Sequence, residues 1–138
     1  MANTTRDPVK DAVRVFNKHI LNPVMLHLAG RKNWYASVVH HTGRRTGKAY
    51  ATPVVAELAS DASGDWLVIP LPYGTGVDWL RNVLAAGTAT VRAHGRTYDA
   101  VEPVIIHAAA AAPLLSASRR RTFQRFGIGH FLRLRRAK

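Results

Sequence analysis

Apolar side chains recur along this chain with two different periods, and the changes from one to the other mark its elements. Val9, Val13, Phe16 and Ile20 fall at helical spacing with Lys10, Arg14 and Lys18 off the stripe, which predicts an amphipathic helix. Asp7-Pro8 supplies its N-cap and a proline at the first helical position. Pro23 breaks or kinks the segment near Asn22, and a turn or two resumes before Gly30. From residue 34 the period shortens. Residues 34–41 and 49–58 are rich in aromatic and β-branched side chains and predict two strands, the second with Pro53 at an edge position or a bulge. Residues 60–65 form a polar turn, and residues 66–71 are a continuous apolar strand with Pro70 and Pro72 near its end. Short turns between successive strands predict an antiparallel meander.

Beyond Tyr73 the period lengthens again. The pairs Trp79 with Val83 and Leu80 with Leu84 fit a short helix over 79–86, stopped by Gly87 and entered through the glycine-rich turn 73–78. Residues 88–94 and 97–101 alternate as a hairpin through His94-Gly95-Arg96, Glu102-Pro103 bends the chain, and Val104-Ile105-Ile106 adds a strand segment. Residues 107–118 are alanine-rich and predict helix around Pro113, and residues 129–136 alternate polar and apolar as an edge strand does. No repeat or compositional break divides the 138 residues, so one domain is expected: 1–6 disordered, 7–29 helical, 34–106 a strand-rich core, 107–138 a helix and basic tail.

Composition changes this picture in two respects. Cysteine is absent, which excludes disulfide scaffolds and thiolate metal sites; His19 and His27 have no acidic or histidine partner at ligand spacing, so no metal is expected. With a polar N-terminus and no apolar run near the roughly 20 residues of a membrane span, the chain is expected to be cytoplasmic. The basic N-terminal helix leaves peripheral membrane contact as the alternative. Charge is the second respect. Twenty Lys and Arg against eight acids give +12, and every acid lies at or before Glu102, so the final 36 residues carry positive charge only. That balance implies an anionic partner, and nucleic acid, an anionic membrane surface and a polyanionic small molecule all qualify.

The stretch best suited to an anion lies between the first two strands. Thr42-Gly43-Arg44-Arg45-Thr46-Gly47-Lys48 brackets two arginines with two glycines. Glycine permits the positive φ angles that turn successive N–H groups into one concavity, and a guanidinium holds phosphate or carboxylate bidentately. The same residues also make an ordinary hairpin turn, and composition does not separate the two readings. The turn 73–78 is a second candidate, because a strand-to-helix connection presents free N–H groups and the positive end of a helix dipole. Neither is a named nucleotide motif. Gly74-Thr75-Gly76 continues into Val77-Asp78 without the third glycine of a dinucleotide fingerprint, and 43–48 is one residue too short for a P-loop and runs into a strand.

His41 to Gly47, the proline-bearing strand after it, the glycine loop, Trp79 and Asn82 in Trp-x-x-Asn, Ala85-Ala86-Gly87 and the hairpin beyond form an ordered set. It resembles the deazaflavin-dependent nitroreductase family over residues 34–102. The resemblance implies an α+β fold, a split β-barrel of FMN-binding-like type, mostly antiparallel sheet with flanking N-terminal and C-terminal helices. It implies coenzyme F420 as cofactor, with FMN as the alternative. On the matching positions, Arg44, Arg45 and Thr46, within Thr42 to Lys48, would contact phosphate and tail carboxylates. Tyr50, Thr52, Pro53 and Val54 would line the deazaflavin ring. Pro70, Leu71, Pro72, Tyr73 and Gly74 would meet the cofactor from the third strand and its loop, and Val77, Asp78, Trp79 and Asn82 from the short helix. The implied activity is hydride transfer from reduced deazaflavin to a small electron-poor acceptor, a quinone, enone or nitro compound. Protein groups then position the ring and exclude water, so no acid–base triad is expected.

Two departures from the family stand out. The loop between Tyr73 and Trp79 is shorter than in the nitroimidazole-activating member and lacks its lysine, so Lys48 or Arg81 would have to complete the tail clamp. Phe123 and Phe126 occupy the region where that member has tyrosines. Two other functions remain open: a split-barrel protein that binds F420, FMN or haem without turnover, and a nucleic-acid binder that interleaves C-terminal arginines with Phe123, Phe126 and Phe131. Plainer roles are open as well, with Trp79 a core anchor, Asp78 a helix cap and Asn82 a partner for loop carbonyls. Monomer and homodimer are equally compatible with the sequence.

Overall fold

The computed structural model describes residues 37–137. The expected N-terminal helix over 7–29, the start of the first strand at Trp34 and the frayed first residues lie outside the described residues. Within them the chain forms β1 (Ser37–Thr42), β2 (Ala49–Val54), β3 (Glu57–Asp61), β4 (Gly64–Pro70), α1 (Asp78–Ala86), β5 (Thr88–Ala93), β6 (Arg96–His107), α2 (Ala108–Ala111), a 3₁₀ turn (Ala112–Leu114), α3 (Ala117–Arg125) and β7 (His130–Arg136).

All strand pairs are antiparallel and run in the order β2-β1-β5-β6-β7-β4-β3. The two outermost strands, β2 and β3, are consecutive in the chain and are joined by Val55-Ala56 alone. A link that short brings both free edges of the sheet together, so the sheet curls on itself and is split where β2 parts from β3. The fold is α+β, a split β-barrel. The single strand expected over 49–58 is therefore two strands, and the expected meander does not form: β1 pairs with β2 and β3 with β4, but β2 and β3 are opposite edges. Ala56, 2% exposed, turns into the core where the chain crosses between them. Pro53 sits on edge strand β2 opposite Val38, where its missing N–H leaves no gap in an interior ladder.

The expected edge strand at the C-terminus is instead interior. β7 pairs with β6 on one side and β4 on the other. Leu132 and Leu134 enter the main core with Val39, Leu67, Ile69, Leu80, Val83 and Val91, while Phe131 joins a second cluster with Leu115, Phe123 and Ile128. Both faces of β7 are thus covered. Its arginines keep the alternation polar while lying across aromatic rings: Arg133 and Arg135 lie over the Trp66 ring at 4.3 and 4.8 Å, and Arg136 over Tyr98 at 5.6 Å.

Other expectations hold. α1 ends at Gly87, whose φ of 74° lets its N–H reach Val83 O at 2.8 Å. His94 and Gly95, both at positive φ, make the two-residue turn between β5 and β6. The bend at Glu102-Pro103 is a bulge, with Glu102 at φ 54° and a register shift between Val101 and Val104, and it lets β6 continue to His107. The alanine-rich segment gives α2 and the 3₁₀ turn at Pro113. α3 begins at Ser116, whose Oγ accepts from Arg119 N–H at 3.2 Å.

Candidate functional site

The turn between β1 and β2 closes on itself. Gly43 N–H donates to Lys48 O at 2.7 Å, Gly47 N–H to Gly43 O at 2.9 Å and Lys48 N–H to Thr46 Oγ1 at 3.3 Å. Gly47 has φ 72° and needs to be glycine for that reason. Gly43 is needed for space: a Cβ there would lie 2.9 Å from Thr46 Oγ1 and 3.0 Å from Tyr50 Cε2. The stretch is thus a hydrogen-bonded hairpin turn, and the expected concavity of N–H groups shrinks. The Arg44 N–H goes to Asn82 Oδ1 at 3.2 Å, which leaves those of Arg45 and Thr46 without a partner among the described residues.

Arg44 fastens this turn to α1. Its Nη1 donates to Asn82 Oδ1 at 2.7 Å and its Nη2 to Asp78 Oδ1 at 3.2 Å. Asn82 is buried and therefore binds the turn rather than loop carbonyls. Asp78 caps nothing, since the cap position belongs to Val77, which makes no side-chain bond. Trp79 packs against the main core and also borders the cleft described next. Arg45, by contrast, has no ion-pair or hydrogen-bond partner among the described residues and faces the cleft.

That cleft measures about 610 Å³. The turn contributes Gly43, Arg44, Arg45 and Thr46; β2 contributes Tyr50, Thr52 and Pro53; Tyr73, Val77, Asp78, Trp79 and Asn82 close the opposite side. His41 and Ala51 line it too and were not foreseen. A narrower cleft of about 60 Å³ adjoins it across Pro53, Tyr73, Val77 and Trp79 and adds Val54, Pro70, Leu71, Pro72 and Gly74, together with Phe123, which stands in the region where the resembled family has tyrosines, and Val55, which was not foreseen. Three expected residues fall outside both: Thr42 lines a separate groove with His40, Thr90 and Asp99, and Gly47 and Lys48 line neither cleft. Neither Lys48 nor Arg81, the two candidates for completing the tail clamp, lines either cleft. His41 had a legible signal, because it shares its strand face with Val39 and pairs opposite Tyr50. Phe123 was legible through the family resemblance alone, as the residue standing where a member has tyrosines, since it arrives from a helix distant in the chain.

His41 is the buried polar centre of the cleft wall. Its Nδ1 lies 3.1 Å from Asn82 Nδ2, its Nε2 lies 2.8 Å from Thr52 Oγ1, and its ring stacks on Tyr50 at 5.7 Å and 20°. Burial, and secondarily the neighbouring His40, hold its pKa below the ordinary imidazole value, so the ring is neutral at physiological pH. The main cleft falls within the roughly 300–1,000 Å³ usual for small-ligand sites. Aromatic faces from Tyr50, Tyr73 and Trp79 beside an uncommitted guanidinium at Arg45 suit a flat ring that carries an anionic substituent.

The alternative of a nucleic-acid platform on the C-terminal basic segment loses two of its three aromatics, while Phe126 is half-buried. Phe123 and Phe131 are interior and pack edge to face at 5.5 Å. Arg119 pairs with Glu57 at 2.9 Å and Arg135 with Glu102 at 2.7 Å. Among the described residues no group of three or more metal-ligating side chains occurs, and no helix is long and apolar enough to cross a membrane.

No family model matches the chain, and no curated protein does. Similarity appears among solved structures. One described as a domain-swapped dimer is 14% identical, covers 91% of this chain and 98% of its own, and superposes with a TM-score of 0.54. An F420-H2 dependent reductase is 13% identical over 72% of this chain and 93% of its own, with a TM-score of 0.40. HutZ, the haem storage protein from Vibrio cholerae, is 10% identical over 86% and 91%, with a TM-score of 0.47. At these identities the first match speaks for the fold and for nothing finer, and the other two are too distant to carry an argument.

Proposed function

We propose that this protein binds a deazaflavin or flavin cofactor, coenzyme F420 first and FMN second, and works as a reductase of small electron-poor acceptors. The observation that carries this reading is the convergence of the Arg44-Arg45 turn, the ring-bearing residues of β2 and the start of α1 on one 610 Å³ cleft. When bound, the reduced cofactor would supply a hydride. The chain's own residues do the rest. Arg45 meets anionic groups at the mouth, Arg44 holds the turn against α1, and Tyr50 and Trp79 border the space for a flat ring. Pro70, Leu71 and Phe123 make the adjoining narrow cleft apolar, which favours an acceptor of quinone or enone type and excludes water. Phe123 offers no proton to a nitro group, so nitroreduction is the weakest of the candidate reactions.

A second reading is binding without turnover; His41 has both ring nitrogens hydrogen-bonded and is a positioning group in either case, not a proton donor to an acceptor. The same fact disfavours haem, because an iron ligand needs a free imidazole nitrogen.

Fluorescence titration of the protein with F420, run beside FMN, tests the proposal. Saturable micromolar F420 binding with weaker FMN binding is the expected result, and oxidation of the reduced coenzyme by a soluble quinone then separates reductase from carrier. Binding of neither cofactor would remove the reading.

A further inference from the structure

The polar contacts of the cleft wall run in one direction. Asn82 Oδ1 receives two donors from Arg44, the backbone N–H at 3.2 Å and Nη1 at 2.7 Å. Two donors on one oxygen fix the amide, so the group facing His41 is the NH₂, which can only donate. His41 Nδ1, 3.1 Å from Asn82 Nδ2, must therefore be the accepting nitrogen, and in a neutral ring the proton then resides on Nε2. Nε2–H points at Thr52 Oγ1, 2.8 Å away, and makes that oxygen an acceptor. The Thr52 hydroxyl makes no other hydrogen bond among the described residues, and Thr52 lines the cleft. Its own hydroxyl hydrogen is left to be given away.

We propose that Arg44, Asn82 and His41 form a directional hydrogen-bond chain that turns the Thr52 hydroxyl into a dedicated donor, so that the bound ligand presents a carbonyl oxygen or an unprotonated ring nitrogen against β2. Arg44, Asn82 and His41 are positioning residues, and Thr52 is the residue that touches the ligand. This rests on the cofactor reading above for the identity of the ligand, and F420 and FMN both carry pyrimidinedione carbonyl oxygens that meet the requirement, whereas the N–H between them does not. It adds something that reading does not contain. A site with a fixed donor discriminates against analogues whose matching position is itself a donor, because two hydrogens then face each other in a partly dry wall. The charged and titratable groups facing the chain are His40 on β1, Arg44 and Arg45 on the turn, Tyr50 on β2, Tyr73 on the loop after β4 and Asp78 on α1.

Asn82→Asp is the decisive variant. The carboxylate still accepts from Arg44 but has no hydrogen for His41, so at alkaline pH, where the imidazole is neutral, the proton moves to Nδ1 and Nε2 becomes an acceptor. Thr52 then donates back to His41 and is lost to the ligand. Nitrogen-15 NMR of the histidine side chains, with His41→Gln identifying the signal, should show the Nε2–H tautomer in the wild type and Nδ1–H in Asn82→Asp. F420 and FMN titrations should show about tenfold weaker binding for Thr52→Val and for Asn82→Asp, with Thr52→Ser within about threefold of the wild type. An Nδ1–H tautomer in the wild type, or full affinity in Thr52→Val, would overturn the proposal. A wild type with the Nε2–H tautomer that binds neither cofactor would leave the chain standing and sink the cofactor reading instead.

Discussion

Arg44 and Arg45 are adjacent and chemically identical, yet the fold gives them different work. Arg44 is drawn across the turn to Asn82 and Asp78, while Arg45 meets no partner among the described residues. Replacing them separately should therefore separate affinity from stability. Arg45→Ala is expected to weaken F420 binding by about tenfold with an unchanged melting temperature, since one charge-assisted contact is lost from an otherwise intact turn. Arg44→Ala should lower stability by about 1–3 kcal/mol, because buried Asn82 Oδ1 loses its shorter, charged donor and keeps only the backbone N–H of residue 44, and should weaken binding as well. Thermal melts beside the titrations decide this, and equal behaviour of the two variants would refute it. The arginine pair was legible in the sequence as two similar ligand contacts, because residue type and spacing say nothing of Asn82, 38 residues further on. His41 adds a pH dependence of known sign. Its folded pKa lies below 6.5, so the unfolded chain binds more protons as pH falls through that value. Stability is then complete above 6.5 and declines from there down to the folded pKa. Urea unfolding across about pH 5 to 8 should show this decline in the wild type and a flatter curve in His41→Gln.

Among the elements, β7 separates pattern from packing most sharply. Its alternation of arginine with leucine has the period of a strand with one face in water, and that period was readable. Its place in the sheet was not, because the polar face is roofed by side chains from elsewhere: Trp66 lies under two of its arginines, and Phe131 is covered by the cluster of Phe123 and Ile128. Likewise Ala49 to Asp61 carries no strong breaker between β2 and β3, so the transfer of the chain from one sheet edge to the other left no local mark. Elements closed by nearby residues fared better, as at Gly87 and at His94-Gly95, where a positive φ leaves a signature in sequence. The interior position of β7 has a measurable cost. Leu134→Ala should destabilise by about 2–5 kcal/mol, as for a fully enclosed leucine, whereas a half-exposed edge position would lose markedly less. A loss under about 1 kcal/mol in chemical denaturation would restore the edge assignment.

For the whole molecule, the question is what the net charge of +12 is for. Part of it is bound within the domain: Arg119, Arg133, Arg135 and Arg136 all pair with acids or stack on aromatic rings of the barrel. These side chains hold β7 and α3 to the sheet, and the aromatics that would have stacked nucleic-acid bases, Phe123 and Phe131, face the interior. The net positive charge that remains gives the protein a positive field, and among the described residues Arg45 sets an uncommitted charge at the 610 Å³ cleft. Such a field attracts polyanions weakly and steers a small one toward the cleft without reading sequence. A mixed-sequence single-stranded oligonucleotide should therefore bind only in the nonspecific range, with Kd of about 10⁻⁴ to 10⁻⁶ M at physiological salt and a steep loss as salt rises. F420 should hold its affinity better over the same salt series, because contacts inside a partly closed cleft are screened less than exposed ones. Fluorescence anisotropy with a labelled oligonucleotide makes the comparison. Oligonucleotide binding tighter than about 10⁻⁷ M at physiological salt, together with a smaller salt effect than that on F420, would return the basic surface to nucleic acid as its partner.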